Sequence, residues 1–103
     1  MSVVLKKPAA ESHLIDIWLY IAEDNPAAAD GVLDSIEETC KLLIRNPEIG
    51  KVFKSYKVKL KDIRYFPVKS FPKYIVYYKT FESGIEVIRV LHAAMRKEKR
   101  LNV

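Results

Sequence analysis

Arg64-Tyr-Phe-Pro-Val68, Tyr74-Ile-Val-Tyr-Tyr78 and Gly84-Ile-Glu-Val-Ile-Arg-Val-Leu-His92 follow one another with only short connectors between them. Apolar, aromatic and β-branched residues dominate each run, as they do in strands. Lys69-Ser-Phe-Pro72 and Phe81-Glu-Ser-Gly84 supply turn chemistry between them. The reading is three strands, Ile63–Val68, Tyr74–Thr80 and Ile85–His92, joined as an antiparallel meander. It holds two arginines, Arg64 at the start of its first strand and Arg89 within its last. Period-two alternation puts Arg89 on one face with Ile85, Val87 and Leu91, where a charge needs a partner or an exit to solvent. Arg64 opens a strand in what is expected to be the same region, and two arginines on neighbouring strands suit a phosphate or carboxylate.

Upstream of the meander the periodicity changes to that of helices. Leu14, Ile17, Trp18 and Ile21 recur at spacings of three, one and three, so they share one core-facing stripe. Trp18 is therefore expected between the helices and the sheet. Ile15 and Leu19 lie beside that stripe, one turn apart, as core margin or as a contact for a partner. Asp24-Asn25-Pro26 stops this helix and starts the next, with Asn25 as N-cap and Pro26 as first helical residue. The second helix is expected from Pro26 to about Arg45, with Ala29, Val32, Leu33, Ile36, Cys40, Leu43 and Ile44 as its apolar face. Asp34, Glu38, Lys41 and Arg45 offer charge pairs along it. Gly31 within it would permit close approach of the other helix. Val3-Val-Leu5 before Pro8 reads as a short opening strand.

Between helix and meander, Lys51, Lys54, Lys57, Lys59 and Lys61 nearly alternate, with Tyr56, Val58 and Leu60 between the last of them. That pattern predicts an extended segment with one apolar and one cationic face. The expected fold class is therefore α+β: an N-terminal strand, then an antiparallel helical hairpin packed on a small antiparallel sheet. Residues 1–103 are read as a single domain, with room for one core.

Charge is divided along the chain. Residues 1–50 hold four Lys/Arg against nine Asp/Glu, net −5, and residues 51–103 hold fourteen against four, net +10. A polarised small protein of this kind meets an anionic partner through its basic side. No apolar run spans a bilayer, and the N-terminus lacks the regions of a secretory signal. Cys40 is the only cysteine, so no internal disulfide can form. Together these features lead us to expect a cytoplasmic protein without membrane association.

Motifs for metal, cofactor or phosphate-loop chemistry are missing, so no cofactor and no metal site is expected. His13, near the start of the first helix, reads as a surface or rim residue. Cys40, on an apolar helix face, reads as a core residue rather than a nucleophile. His92 ends a strand where the sheet opens to solvent, as a local hydrogen-bonding residue or as a proton-transfer group.

The run Ala9-Ala-Glu-Ser-His-Leu14-Ile-Asp-Ile-Trp18-Leu-Tyr-Ile-Ala-Glu-Asp-Asn25-Pro-Ala-Ala-Ala29 resembles the first helix and turn of ParE-type toxins. Leu43-Ile-Arg-Asn-Pro-Glu-Ile-Gly50 and the three strand motifs quoted above resemble the rest, so the similarity spans about Val3 to Arg96. The resemblance implies a RelE-like fold and a toxin of a type II toxin–antitoxin system. It implies neutralisation by a ParD-like antitoxin, DNA gyrase as the target, inhibition by binding without nuclease activity, and contact with DNA only through the antitoxin complex. The alternative is the RelE branch of the superfamily, which cleaves messenger RNA on the ribosome. There His92 would have to replace the tyrosine base used by some members, since no tyrosine follows Tyr78. Lys57, Lys59, Arg64 and Arg89 would bind phosphate. The tail departs from the ParE pattern: His92-Ala-Ala-Met95-Arg96 places Arg96 one position late and lacks the acidic residue that commonly follows. Target contact is expected at Arg64, Arg89, His92 and Arg96, and antitoxin contact at Ile15, Leu19, Lys57 and Lys59.

Overall fold

A computed structural model describes residues 3–55 and 57–93, with the side chain of Lys59 excepted. Strand β1 (Val3–Lys6) leads through Lys7 into helix α1 (Pro8–Ala22). Pro8 occupies the first helical turn, where its missing N–H leaves nothing unsatisfied. Helix α2 (Pro26–Arg45) starts after a three-residue link, with the Asn25 side chain accepting from the Ala28 N–H at 3.1 Å. Strands β2 (Lys51–Val52), β3 (Arg64–Val68), β4 (Phe71–Phe81) and β5 (Gly84–His92) complete a five-stranded sheet in the order β1-β5-β4-β3-β2.

The sheet is mixed rather than antiparallel throughout. The meander β3-β4-β5 is antiparallel as expected, but β1 pairs parallel to β5, from Val3 opposite Gly84 to Lys6 opposite Val87. Both helices and strands β2 to β4 separate β1 from β5 in the chain, so the connection is long enough for the parallel pairing. Lys6 Nζ donates to Glu37 Oε1 at 2.5 Å and ties β1 to α2. The charge pairs expected along α2 among Asp34, Glu38, Lys41 and Arg45 do not form.

Both helices lie on one face of the sheet. Ala10, Leu14, Ile17 and Ile21 of α1 and Val32, Ile36, Cys40 and Leu43 of α2 meet Val68, Val76, Tyr78, Ile85, Val87 and Val90 there. Trp18 departs from its expected place. It is half-buried, and its Nε1–H donates to Asp30 Oδ1 at 2.8 Å, so it bridges the two helices rather than filling the helix–sheet core. The side chain gains a hydrogen-bond partner that the core could not give its indole N–H. Gly31 does not mediate close helix packing either: a Cβ there would meet nothing within 4 Å.

The opposite face carries a second, smaller core. The segment after β2 does not stay extended. It leaves the sheet edge, forms a 3₁₀ turn (Val58–Leu60), and lays Leu60 and Ile63 over Ile75, Tyr77 and Leu91, with Phe53 and Tyr65 alongside. Val58, expected on an apolar face, is 85% exposed instead. Burying the ring of Tyr77 outweighs the alternating lysine pattern, because lysines can reach solvent from any extended or turned backbone.

Candidate functional site

A bulge in β5 decides which face each cation occupies. Tyr77 pairs with Arg89 but Tyr78 pairs with Val87, so Ile88 is an extra residue. Ile85 and Val87 face the helices, whereas Arg89 and Leu91 face the other way with Tyr77 and Ile75. Simple alternation had placed Arg89 with Ile85, Val87 and Leu91; only Leu91 shares its face. Its guanidinium turns back, and Nη1 donates to the Ile88 carbonyl at 2.6 Å, an acceptor that the bulge presents. Burial pulls the Arg89 pKa below its ordinary value.

Arg64 lies on the other face. It pairs with Tyr78, which belongs to the helix-side core. Its Nη1 donates to the carbonyls of Gly50 at 2.8 Å and Glu48 at 3.2 Å. The Tyr78 hydroxyl donates to the Pro47 carbonyl at 2.8 Å and accepts from the Gly50 N–H at 3.0 Å. Arg64 and Tyr78 therefore clamp the α2–β2 connection. The expected pairing of Arg64 and Arg89 around one anion fails: β4 separates their strands, and they point to opposite faces. Arg64 instead borders a basic, aromatic cleft of about 650 Å³ with Lys51, Phe53, Lys54 and Tyr65.

His92 is on the helix side, opposite Tyr74, with the two rings edge to face at 5.5 Å. Lys57 is exposed on the loop that covers the far face. Lys59 stands in the 3₁₀ turn of that loop. The base and cations that RNA cleavage would need are thus divided between two faces. Arg96 and Met95 lie outside the described residues. Ile15 and Leu19 are 61% and 55% exposed, one turn apart on α1, and nothing within the described chain covers them.

The sequence reading missed a grouping at the end of the sheet. His13, Asp16, Ile17 and Tyr20 of α1 face Tyr74, Val90 and His92 across a cleft of about 560 Å³. The two histidines, 79 positions apart in the chain, line the same cleft. Burial raises the Tyr74 pKa, with a further push from Tyr20 across the cleft. The signal was present: His13, Asp16 and Tyr20 are spaced by three and four, a helical stripe of polar and aromatic residues beside the apolar one. Cys40 is buried, and burial with help from Glu37 pushes its thiol up to about 11, so it is a core residue and an inert one at neutral pH. Among the described residues no group of acidic, histidine or cysteine side chains could hold a metal ion, and no helix is long and apolar enough to cross a membrane.

Comparison with known proteins agrees with this architecture. The chain matches a solved structure titled "Chromosomal ParDE TA system from P. aeruginosa" with a TM-score of 0.70 and 17% identity, over 89% of this chain and 96% of that one. At that identity the likeness concerns the fold. No curated protein sequence matches the chain significantly. The family model described as "ParE toxin of type II toxin-antitoxin system, parDE" matches residues 4–97, from β1 past the end of β5, and the chain therefore belongs to the ParE toxin family.

Proposed function

We propose that this protein is the toxin of a ParDE-type pair, held inactive by a ParD-like antitoxin in the cytoplasm, and that it inhibits DNA gyrase by binding rather than by hydrolysis. The family match over residues 4–97 carries the reading. Two structural features support it. The Ile15–Leu19 strip on α1 is apolar and uncovered, as a surface reserved for a partner is. The basic residues gather on the sheet and its loops, where acidic groups of an antitoxin or target would be drawn; Lys57 and Lys59 are assigned to the antitoxin on this basis.

Target contact is assigned to Arg89, His92 and Arg96, with Arg64 acting indirectly by holding the α2–β2 connection in place. The test is supercoiling by purified gyrase. Inhibition that is relieved by adding the co-expressed antitoxin supports the proposal. Full supercoiling at a large excess of toxin overturns it.

The endoribonuclease reading receives no support from the geometry. His92 and Arg89 lie on opposite faces, and the Arg64 guanidinium is taken up by two backbone carbonyls.

A further inference from the structure

The cleft at the end of the sheet has no part in the reading above except through His92. Its walls are aromatic: Tyr20 and Tyr74, with the rings of His13 and His92 beside them. Tyr20 is 76% exposed, although a tyrosine ring is large enough to repay burial. One turn before it, the exposed Asp16 carboxylate takes no hydrogen bond or ion pair within the described chain. Aromatic faces carry negative potential, and a carboxylate beside them adds to it. The surroundings point the same way. Exposed Glu23 and Asp24 follow Tyr20 at the end of α1, and exposed Glu11, Asp34 and Glu38 stand elsewhere on the helix layer. A nucleobase could stack on the same rings, but its phosphate chain would meet this acidic surface.

We propose that the cleft receives a single arginine side chain of a protein partner. The guanidinium plane stacks on Tyr20 and Tyr74, and its fork of N–H donors meets the Asp16 carboxylate. Arginine fits better than lysine because a planar, weakly hydrated cation can stack and pair at once. The cleft lies on the acidic helix side, so this contact is separate from any made by the basic sheet side. One partner could then hold the toxin at two oppositely charged surfaces.

The test is a titration of the isotope-labelled full chain with a capped Ala-Leu-Arg-Leu-Ala peptide and its citrulline twin, which has the same shape without the charge. Backbone amide shifts at Asp16, Tyr20, Tyr74 and His92 are expected, with the citrulline peptide at least fivefold weaker. Asp16→Asn and Tyr20→Ala are each expected to weaken binding about five- to tenfold. Both positions are exposed, so the amide spectrum elsewhere should stay that of the parent fold. Equal binding of the citrulline peptide, shifts confined to other regions, or full affinity in Asp16→Asn would overturn the proposal. So would a single-stranded oligonucleotide that moves the same amides, which would make this a nucleobase site. Tighter peptide binding when Arg96 and Lys97 are both changed to Ala would overturn it in favour of the chain's own tail. No arm involves gyrase or the antitoxin, so failure here is distinguishable from failure of the toxin reading.

Discussion

At the scale of single residues, the junction of Gly50, Arg64 and Tyr78 fixes the connection between the helices and the sheet edge. Tyr78 is fully buried and its hydroxyl serves two backbone partners. Tyr78→Phe leaves the buried Gly50 N–H and the Pro47 carbonyl short of a partner, at a cost of about 1–3 kcal/mol. Equilibrium urea unfolding checks this; a parent-like midpoint would refute it. Gly31 is the contrasting case. Its missing side chain serves no contact, so Gly31→Ala should stabilise α2 by up to about 1 kcal/mol. Cys40 gives a pH dependence whose sign follows from its burial. The folded thiol titrates near 11, above its ordinary 9.0, so the stability it contributes is whole below pH 9 and is lost as pH rises towards 11. Tyr77, pushed up to about 12 by burial and then by Tyr65, extends the same loss to higher pH. Urea midpoints should therefore fall between pH 9 and 11, and fall less steeply in Cys40→Ala. A parallel decline in both proteins would contradict this.

At the scale of elements, β1 depends on a glycine in another strand. A Cβ on Gly84 would sit 1.9 Å from the Val3 carbonyl oxygen, where no side chain could give way because the obstacle is backbone. The residue also holds φ +156, a conformation that side chains disfavour. Gly84→Ala should detach β1, costing on the order of 3 kcal/mol. Hydrogen exchange should then accelerate at the amides of Val3 and Lys7, which otherwise donate to Ser83 and Val87 at 2.7 and 3.0 Å. Unchanged protection there would sink the prediction. The helices and the meander were legible in the sequence because Pro8, Asn25-Pro26 and Asn46-Pro47 punctuate them and apolar spacing fills them. The parallel placement of β1 was not, since pairing across two helices and three strands leaves no local signature. The bulge at Ile88 was equally hidden: five apolar residues at 85, 87, 88, 90 and 91 fit either face, and only the cross-strand register shows where the alternation slips. That slip turns Arg89 away from the face that Arg64 occupies, and β4 already keeps their strands apart. The cleft was half legible, through the His13-Asp16-Tyr20 stripe, but its facing wall comes from strands 54 to 79 positions later.

At the scale of the whole molecule, the charge division of the sequence becomes a division of surfaces. The helix layer presents Glu11, Asp16, Asp34, Glu37 and Glu38, while Lys51, Lys54, Lys57 and Lys69 are exposed at the sheet edge, its covering loop and a hairpin tip. The proposed antitoxin contacts then span both surfaces, Ile15 and Leu19 on the helix layer and Lys57 and Lys59 on the covering loop, while the proposed target contacts gather at β5 and the residues after it. Neutralisation through the Ile15–Leu19 strip would bury apolar surface, show a negative heat-capacity change and resist salt. Action through Arg89, His92 and Arg96 would rest on forked cation contacts to carboxylates or phosphates of a large target, and needs no general base. The two can be separated by variants expressed without antitoxin. Arg96→Ala is expected to relieve growth arrest more than His92→Ala, because His92 sits edge-on to Tyr74 in the helix-side cleft rather than among the cations. Cells making the parent protein should filament and induce DNA-damage responses before growth stops, and purified Arg96→Ala should inhibit gyrase supercoiling at least tenfold less well. Rapid loss of intact messenger RNA that ceases only in His92→Ala would instead assign the activity to RNA cleavage, and would require His92 to act without the arginines that the bulge and the Gly50 clamp hold elsewhere.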